Sequence, residues 1–273
     1  MVLISSRSNP KVKETRALRQ RKARQEYGLF LVEGIHHVGA AIEAGADLVS
    51  LWYAPDLLDS AFAQQLVANI ADQGIPTYAL TNDVFESLAD KDNPQGLLAV
   101  VRQPVRSLSA LHPGNFRWGV ALVDPQDPGN LGAILRTVDA VGASGLILLQ
   151  GDPKKPSIVD PYHPSAVRAS MGALFWHPLV TASFDEFSRW VQQHGYHVYG
   201  TSAHASVDFQ QMVSYRQPCI LLMGSERQGL TSEQSAGCEV LIHLPMHGRL
   251  SSLNLAVAAG VMLYAMMDKL DQV

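Results

Sequence analysis

The chain holds only two cysteines, Cys219 and Cys238, in 273 residues, so neither a disulfide framework nor a cysteine metal site is expected. Charged residues make up just 17% against 47% apolar, which excludes a disordered tail protein. No collagen, solenoid or heptad period is present. The longest apolar stretch, Leu255 to Met267, is too short to span a bilayer and runs into Asp268 and Lys269. The opening residues, MVLISSRSNPKVK, are polar and basic, which argues against a secretory signal. A soluble cytoplasmic protein is expected.

Several reaction signatures are also missing. No G-x-G-x-x-G follows an apolar run, which argues against a nicotinamide or flavin oxidoreductase. There is no P-loop and no G-x-S-x-G nucleophile elbow. His36-His37 lacks a third ligand at metal spacing, so no metal is expected. Cys219 sits in an apolar run and reads as a small core residue rather than a nucleophile.

What is present is an uneven charge. The net charge is −4, from 21 Lys+Arg against 25 Asp+Glu. Yet Arg7, Lys11, Lys13, Arg16, Arg19, Arg21, Lys22 and Arg24 crowd into the N-terminal stretch, opposed only by Glu14. A basic patch on an acidic body suits a localised polyanion contact. A solvated helix face without a partner accounts for it equally well.

The pattern of elements predicts two α/β units. In the first, a helix is expected over Asn9 to Gln25, then a strand over Leu29 to Val32, a helix over Gly34 to Ala44 and a strand over Val49 to Tyr53. A helix over Ser60 to Asp72, a strand over Tyr78 to Leu80, a helix over Asn82 to Leu88 and a strand over Gly96 to Val101 follow. Pro and Gly punctuate the residues beyond, so the expected division is 1–103, a linker 104–115, and 116–273. After Trp118, strands apolar throughout alternate with helices: Trp118 to Val123, Leu131 to Val141, Gly145 to Leu149, Phe184 to His194, Tyr196 to Thr201, Pro218 to Met223, Thr231 to Gly237, Val240 to Leu244 and Leu253 to Leu270. Such strands imply a parallel sheet covered on both faces, with ligands outside its carboxyl edge.

The unusual residues fall at those strand ends. After Val123 comes Asp124-Pro125-Gln126-Asp127-Pro128-Gly129-Asn130, leading to Arg136. After Met223 comes Gly224-Ser225-Glu226-Arg227-Gln228-Gly229-Leu230, and after Leu244 comes Pro245 through Asn254. Ordinary turns also favour Gly, Pro, Asn and Ser. Three rich loops converging on one edge, with Arg136 and Glu226 as a charged pair, point instead to a site.

Asn130 with Arg136, Gly224-Ser225-Glu226 with Gly229-Leu230, and Leu244-Pro245-Met246 with Ser252-Leu253-Asn254-Leu255-Ala256-Val257-Ala258 together resemble the three motifs of the SpoU (TrmH) family. These are RNA ribose 2′-O-methyltransferases of the SPOUT class. Asn9-Pro10 and Phe30-Leu31-Val32-Glu33-Gly34 resemble the family's N-terminal substrate-binding domain, which is like a ribosomal-protein fold. One departure is Leu255-Ala256-Val257, where the family more often has Val-Ser-Val.

The resemblance implies a trefoil-knotted parallel-sheet domain, bound S-adenosylmethionine, an RNA substrate and a homodimer with shared active sites. It implies that Thr201, Gly224, Leu244, Met246 and Leu253 hold the cofactor, and that Asn130, Arg136, Glu226, Ser252 and Asn254 serve catalysis. It assigns RNA contact to Arg168, and the basic stretch adds Arg19, Arg21, Lys22 and Arg24. Arginine is a poor general base because its pKa exceeds about 12. Arg136 is therefore expected as an electrostatic clamp on a phosphate and the developing alkoxide, assisted by Ser252 and Asn254. Large-subunit ribosomal RNA is the expected substrate; tRNA, or RNA binding without catalysis, are the alternatives.

Overall fold

The structure, a computed structural model, describes residues 3–90, 93–151 and 158–271. Its first stretch runs β1 (Leu3–Ile4), α1 (Pro10–Ala17), α2 (Arg21–Tyr27), β2 (Leu29–Glu33), α3 (Ile35–Glu43), β3 (Leu48–Tyr53), α4 (Ala61–Asp72), β4 (Thr77–Leu80), α5 (Asn82–Leu88) and β5 (Leu97–Arg102). There follow β6 (Trp118–Val123), α6 (Pro128–Ala140), β7 (Leu146–Gln150), α7 (Pro164–Ala169), α8 (Ala173–Trp176) and β8 (Leu179–Ser183). The chain closes with α9 (Phe184–His194), β9 (His197–Thr201), β10 (Val207–Asp208), β11 (Cys219–Met223), α10 (Ser232–Ala236), β12 (Val240–His243) and α11 (Leu255–Met267). Among the described residues no helix is long and apolar enough to cross a membrane.

Two compact units form. One comprises Met1–Pro104 with Asp160–Trp176, and the other Val105–Val159 with His177–Val273. This differs from the expected division in two places. Leu108 and Leu111, in the expected linker, are buried in the second unit's core, and the Trp190 indole donates to the Leu111 carbonyl at 2.8 Å. The segment Asp160–Trp176, expected in the C-terminal domain, packs in the first unit. The reason is aromatic burial: Tyr162 and Phe175 lie 4.7 and 6.3 Å from the Phe30 ring, centroid to centroid.

The first unit has a mixed five-stranded sheet, ordered β1-β4-β3-β5-β2, with β5 antiparallel to both neighbours. Its core joins Val12, Leu31, Trp52, Leu80, Phe85 and Leu98. Burying such side chains contributes about 1.5–3 kcal/mol each. The expected helix over Asn9 to Gln25 is broken between α1 and α2, where Gln20 is extended. Arg24 explains the break. Its guanidinium donates to the carbonyls of Leu18 and Arg19 at 2.8 and 2.7 Å, satisfying acceptors that a continuous helix would have used itself. It also forks onto Asp160 Oδ2 at 2.8 and 2.6 Å.

The second unit is a seven-stranded sheet, ordered β10-β12-β9-β11-β6-β7-β8, with every neighbouring pair parallel. Its apolar strands were legible; the short edge strands β8 and β10 were not. The order reverses at β6, which continues through β7 to β8 on one side and meets β11 on the other. Helix α6 starts three residues earlier than expected. Asp127 caps it by accepting from the Asn130 amide at 2.7 Å, and Pro128 supplies a pre-set φ. Asn130 therefore lies on the helix rather than in the loop.

Arg24 is only 1% exposed. Truncating one partner of such a pair leaves an uncompensated buried charge, so Arg24→Met should lower unfolding stability by about 3–5 kcal/mol in a urea titration. A loss below about 1 kcal/mol, the worth of an exposed pair, would show that the contact is not buried in solution.

Candidate active site

Because the strands of the second unit all point one way, the ends of β6, β9, β11 and β12 share one edge. The loops after β6 and β11 flank the point where the strand order reverses, which is where α/β sheets hold their ligands.

A chain of side-chain hydrogen bonds ties these loops together. Asn254 Nδ2 donates to Asn130 Oδ1 at 2.9 Å. Asn130 Nδ2 and the Gln126 amide each approach Glu226 Oε1 at 3.5 Å, a long and weak contact. Asn254 Oδ1 accepts from the Ala256 and Val257 amides at 2.9 and 3.3 Å, capping α11. Three of the five expected catalytic residues thus form one scaffold, with both functional atoms of Asn254 engaged in it.

The expected Arg136–Glu226 pair is not formed. Glu226 ties down the loop after β6, while Arg136 is exposed on α6 with no hydrogen bond or ion pair among the described residues. Its guanidinium is free to meet an anion. Ser252 is likewise exposed and unengaged among the described residues.

The expected cofactor residues lie along the same edge. Thr201 ends β9 in register with Ile242 of β12. Gly224 follows β11, and a Cβ there would lie 2.1 Å from the Gly229 carbonyl carbon. The loop's own backbone, returning through the Gly229 amide to the Ser225 carbonyl at 2.9 Å, demands this glycine. Leu244 and Met246 are half-buried, and Leu253 is 42% exposed. Among the described residues the amides of Gly224, Leu244, Met246 and Leu253 find no backbone acceptor. Unpaired amides beside partly exposed apolar side chains fit a flat heterocycle with polar edges, such as an adenosine.

Asp124 was not singled out from the sequence. Its φ of 45° is left-handed, uncommon outside glycine and more so before a proline. Its Oδ1 accepts from the Gly151 amide at 3.0 Å, joining the ends of β6 and β7. Only the Asp-Pro step at a strand end could have signalled it. Cys219 is fully buried in β11, and burial pushes its thiol up to about 12, which leaves no thiolate for chemistry at neutral pH.

The expected RNA-binding residues all fall in the first unit. Arg24 is the clear correction: buried against Asp160, it cannot reach a phosphate. Arg19 and Arg168 both pair with Asp90, at 3.2 and 2.5 Å. Partial burial works against the Asp90 charge, but the Arg168 hydrogen bond and the charges of Arg168 and Arg19 outweigh it and hold the carboxyl below its usual range. Arg21 and Lys22 are exposed on α2.

A fully parallel sheet with its loop-borne polar groups gathered at one carboxyl edge defines an α/β fold that binds its ligand there. The chain belongs to the SpoU rRNA Methylase family, whose model matches residues 118–264. Residues 9–99 match the MRM3-like substrate binding domain. The AdoMet-bound rRNA methyltransferase from Sinorhizobium meliloti is 36% identical, with a TM-score of 0.86 over 97% of this chain and 96% of that one. A 23S rRNA (uridine(2479)-2'-O)-methyltransferase of Streptomyces viridochromogenes is 33% identical over 90% of this chain and 85% of its own length. The 23S rRNA (guanosine(2553)-2'-O)-methyltransferase RlmP of Bacillus subtilis is 27% identical over 97% and 98%.

The scaffold is testable by itself. Asn254→Ala removes a helix cap and a loop tie, and should cost about 1 kcal/mol or more in denaturant unfolding. Asn130→Ala removes the same tie and the weak contact with Glu226, and leaves the helix cap in place. The double variant should cost less than the sum of the two, because the shared hydrogen bond is lost only once; strict additivity would mean that the tie carries no energy.

Proposed function

We propose that the chain transfers a methyl group from S-adenosylmethionine to a ribose 2′-hydroxyl of large-subunit ribosomal RNA. The observation that carries this reading is the Asn254–Asn130–Glu226 scaffold, set at the sheet's reversal point beside unpaired amides. Two of the relatives named above, from Streptomyces viridochromogenes and Bacillus subtilis, are 23S rRNA methyltransferases, which supports that substrate over tRNA. This substrate also supports a cytoplasmic location.

The cofactor supplies an electrophilic sulfonium methyl when bound. Thr201, Gly224, Leu244, Met246 and Leu253 would hold it, chiefly through backbone groups and apolar contact. Arg136, free of any partner among the described residues, clamps a substrate phosphate and stabilises the developing alkoxide as its proton passes to solvent water. Ser252 has a hydroxyl to donate to the same oxygen. Asn254 and Glu226 are positioning residues, since their polar atoms hold the loops in place. Holding the oxygen in line with the methyl saves association entropy and supplies much of the rate.

We further infer a trefoil knot. It is supported by the placement of β11 between β9 and β6, and by the return of the chain after β12 to a helix whose end meets Tyr215. We also infer a homodimer through α11. That helix is apolar all round, yet only Leu255, Ala259, Met262, Leu263 and Met266 are buried. Val257, Val261, Tyr264 and Met267 form an exposed stripe at helical spacing, an apolar face suited to its own copy.

Two measurements check these readings. Arg136→Ala should reduce methyl transfer to RNA by at least about a hundredfold with S-adenosylmethionine affinity unchanged by calorimetry. Cofactor binding lost along with activity would refute the clamp. Sedimentation of the full chain at micromolar concentration should give a dimer, and Val261→Asp a monomer; a monomeric unaltered chain would remove the shared-site assembly.

A further inference from the structure

The N-terminal charge does not present itself as the even helix face that the sequence suggests. Arg24 is consumed internally, and Arg7 pairs with Asp83 at 3.5 Å. Instead, the break between α1 and α2 opens a basin of about 410 Å³ lined by Arg16, Arg19, Gln20, Asp90, His163 and Pro164. The last two belong to the Asp160–Trp176 segment, so the basin exists only because that segment packs in this unit.

Its donors are held ready. Arg16 is anchored through the Arg7 carbonyl at 2.8 Å, and Arg19 through Asp90. Arg168 is fixed on the other Asp90 oxygen, in a small cavity that it shares with Arg19. His163 Nδ1 accepts from the Ser165 amide at 3.2 Å. The neutral ring therefore carries its proton on Nε2, which has no partner among the described residues. The Gln20 side-chain amide is also unengaged there, and Pro164 adds an apolar surface.

We propose that this basin binds one unstacked nucleotide of the RNA substrate, with its phosphate on Arg16 and Arg19 and its base edge on His163 and Gln20. Sites for small organic ligands run from about 300 to 1,000 Å³, so the basin has room for one nucleotide. Proteins read RNA mainly through loops and bulges whose bases are splayed out to hydrogen-bonding and stacking groups. A basin offering fixed cations, neutral donors and one apolar ring matches that chemistry better than a flat basic face, which reads phosphate alone. The inference rests on RNA being the substrate, and adds where and in what form it is gripped.

The test uses the full chain, with a short fluorescent single-stranded RNA and the blunt duplex of the same sequence. Arg16→Gln combined with His163→Ala should weaken single-strand binding by about tenfold or more and duplex binding by much less. Gln20→Ala, an uncharged change at an exposed position, should act in the same sense more mildly, which separates recognition from misfolding or lost charge. Equal losses for strand and duplex, or unchanged affinity in both variants, overturn the nucleotide site. With S-adenosylmethionine binding and methylation intact, that result leaves the enzyme reading standing. Failure of the unaltered chain to bind S-adenosylmethionine strikes the enzyme reading instead, and a basin still selective for single strands survives it.

Discussion

Strand direction is the constraint on which the rest of the second unit depends. In a parallel ladder every strand presents its carboxyl end to the same edge, so loops far apart in sequence arrive together without any attraction between them. Asn130 and Asn254 stand 124 positions apart and meet at 2.9 Å for this reason. One reversed strand among β6, β9, β11 and β12 would have sent its loop to the far edge. The hydrogen bonds among Asn130, Asn254 and Glu226 then only refine what the sheet has already assembled, which is why long contacts of 3.5 Å suffice there.

In the first unit the governing fact is that charge in a sequence is not the same as charge available to a ligand. Arg24 lies within the basic stretch, yet four of its five donors are matched to two carbonyls and a carboxylate. A lysine could not serve in its place, since a point charge lacks the planar fork that meets three acceptors at once. Arg19 and Arg168 sit between these extremes: pairing with Asp90 lowers their net field but fixes their direction. A binding surface assembled in this way trades raw attraction for geometry.

Much of this was legible in the sequence, and the reasons for success and failure are local. The strands β6, β7 and β11 are buried on both faces and read as unbroken apolar runs. Asn82 to Leu88 and Phe184 to His194 carried their own helical signals and formed within the expected bounds. Two-residue strands such as β1 and β10 have no period to detect, and β8 follows a His-Pro step with a Thr and a Ser in five residues. The break after α1 was invisible because the Arg24 side chain that takes up the Leu18 and Arg19 carbonyls is held by Asp160, 136 residues away. The family motifs located the three loops, but only coordinates could separate Asn254, whose polar atoms are spent, from Arg136, whose guanidinium is not. The Arg136–Glu226 pair failed for the same reason, since adjacency at an edge does not imply contact.

The membership of Asp160–Trp176 in the first unit bears on how this protein can be taken apart. The backbone crosses between the two units near residues 104, 159 and 176, so no single cut separates them. A fragment beginning at the Pro/Gly-rich stretch would carry Tyr162, Val167 and Phe175 away from the surfaces that bury them, with the Asp160 carboxylate stripped of its arginine. The remaining N-terminal fragment would hold Arg24 in an apolar setting with no counter-ion. Each half would misbehave for a reason unrelated to its own fold. An exchange of the first unit with that of a relative would therefore have to carry both stretches to keep these contacts together.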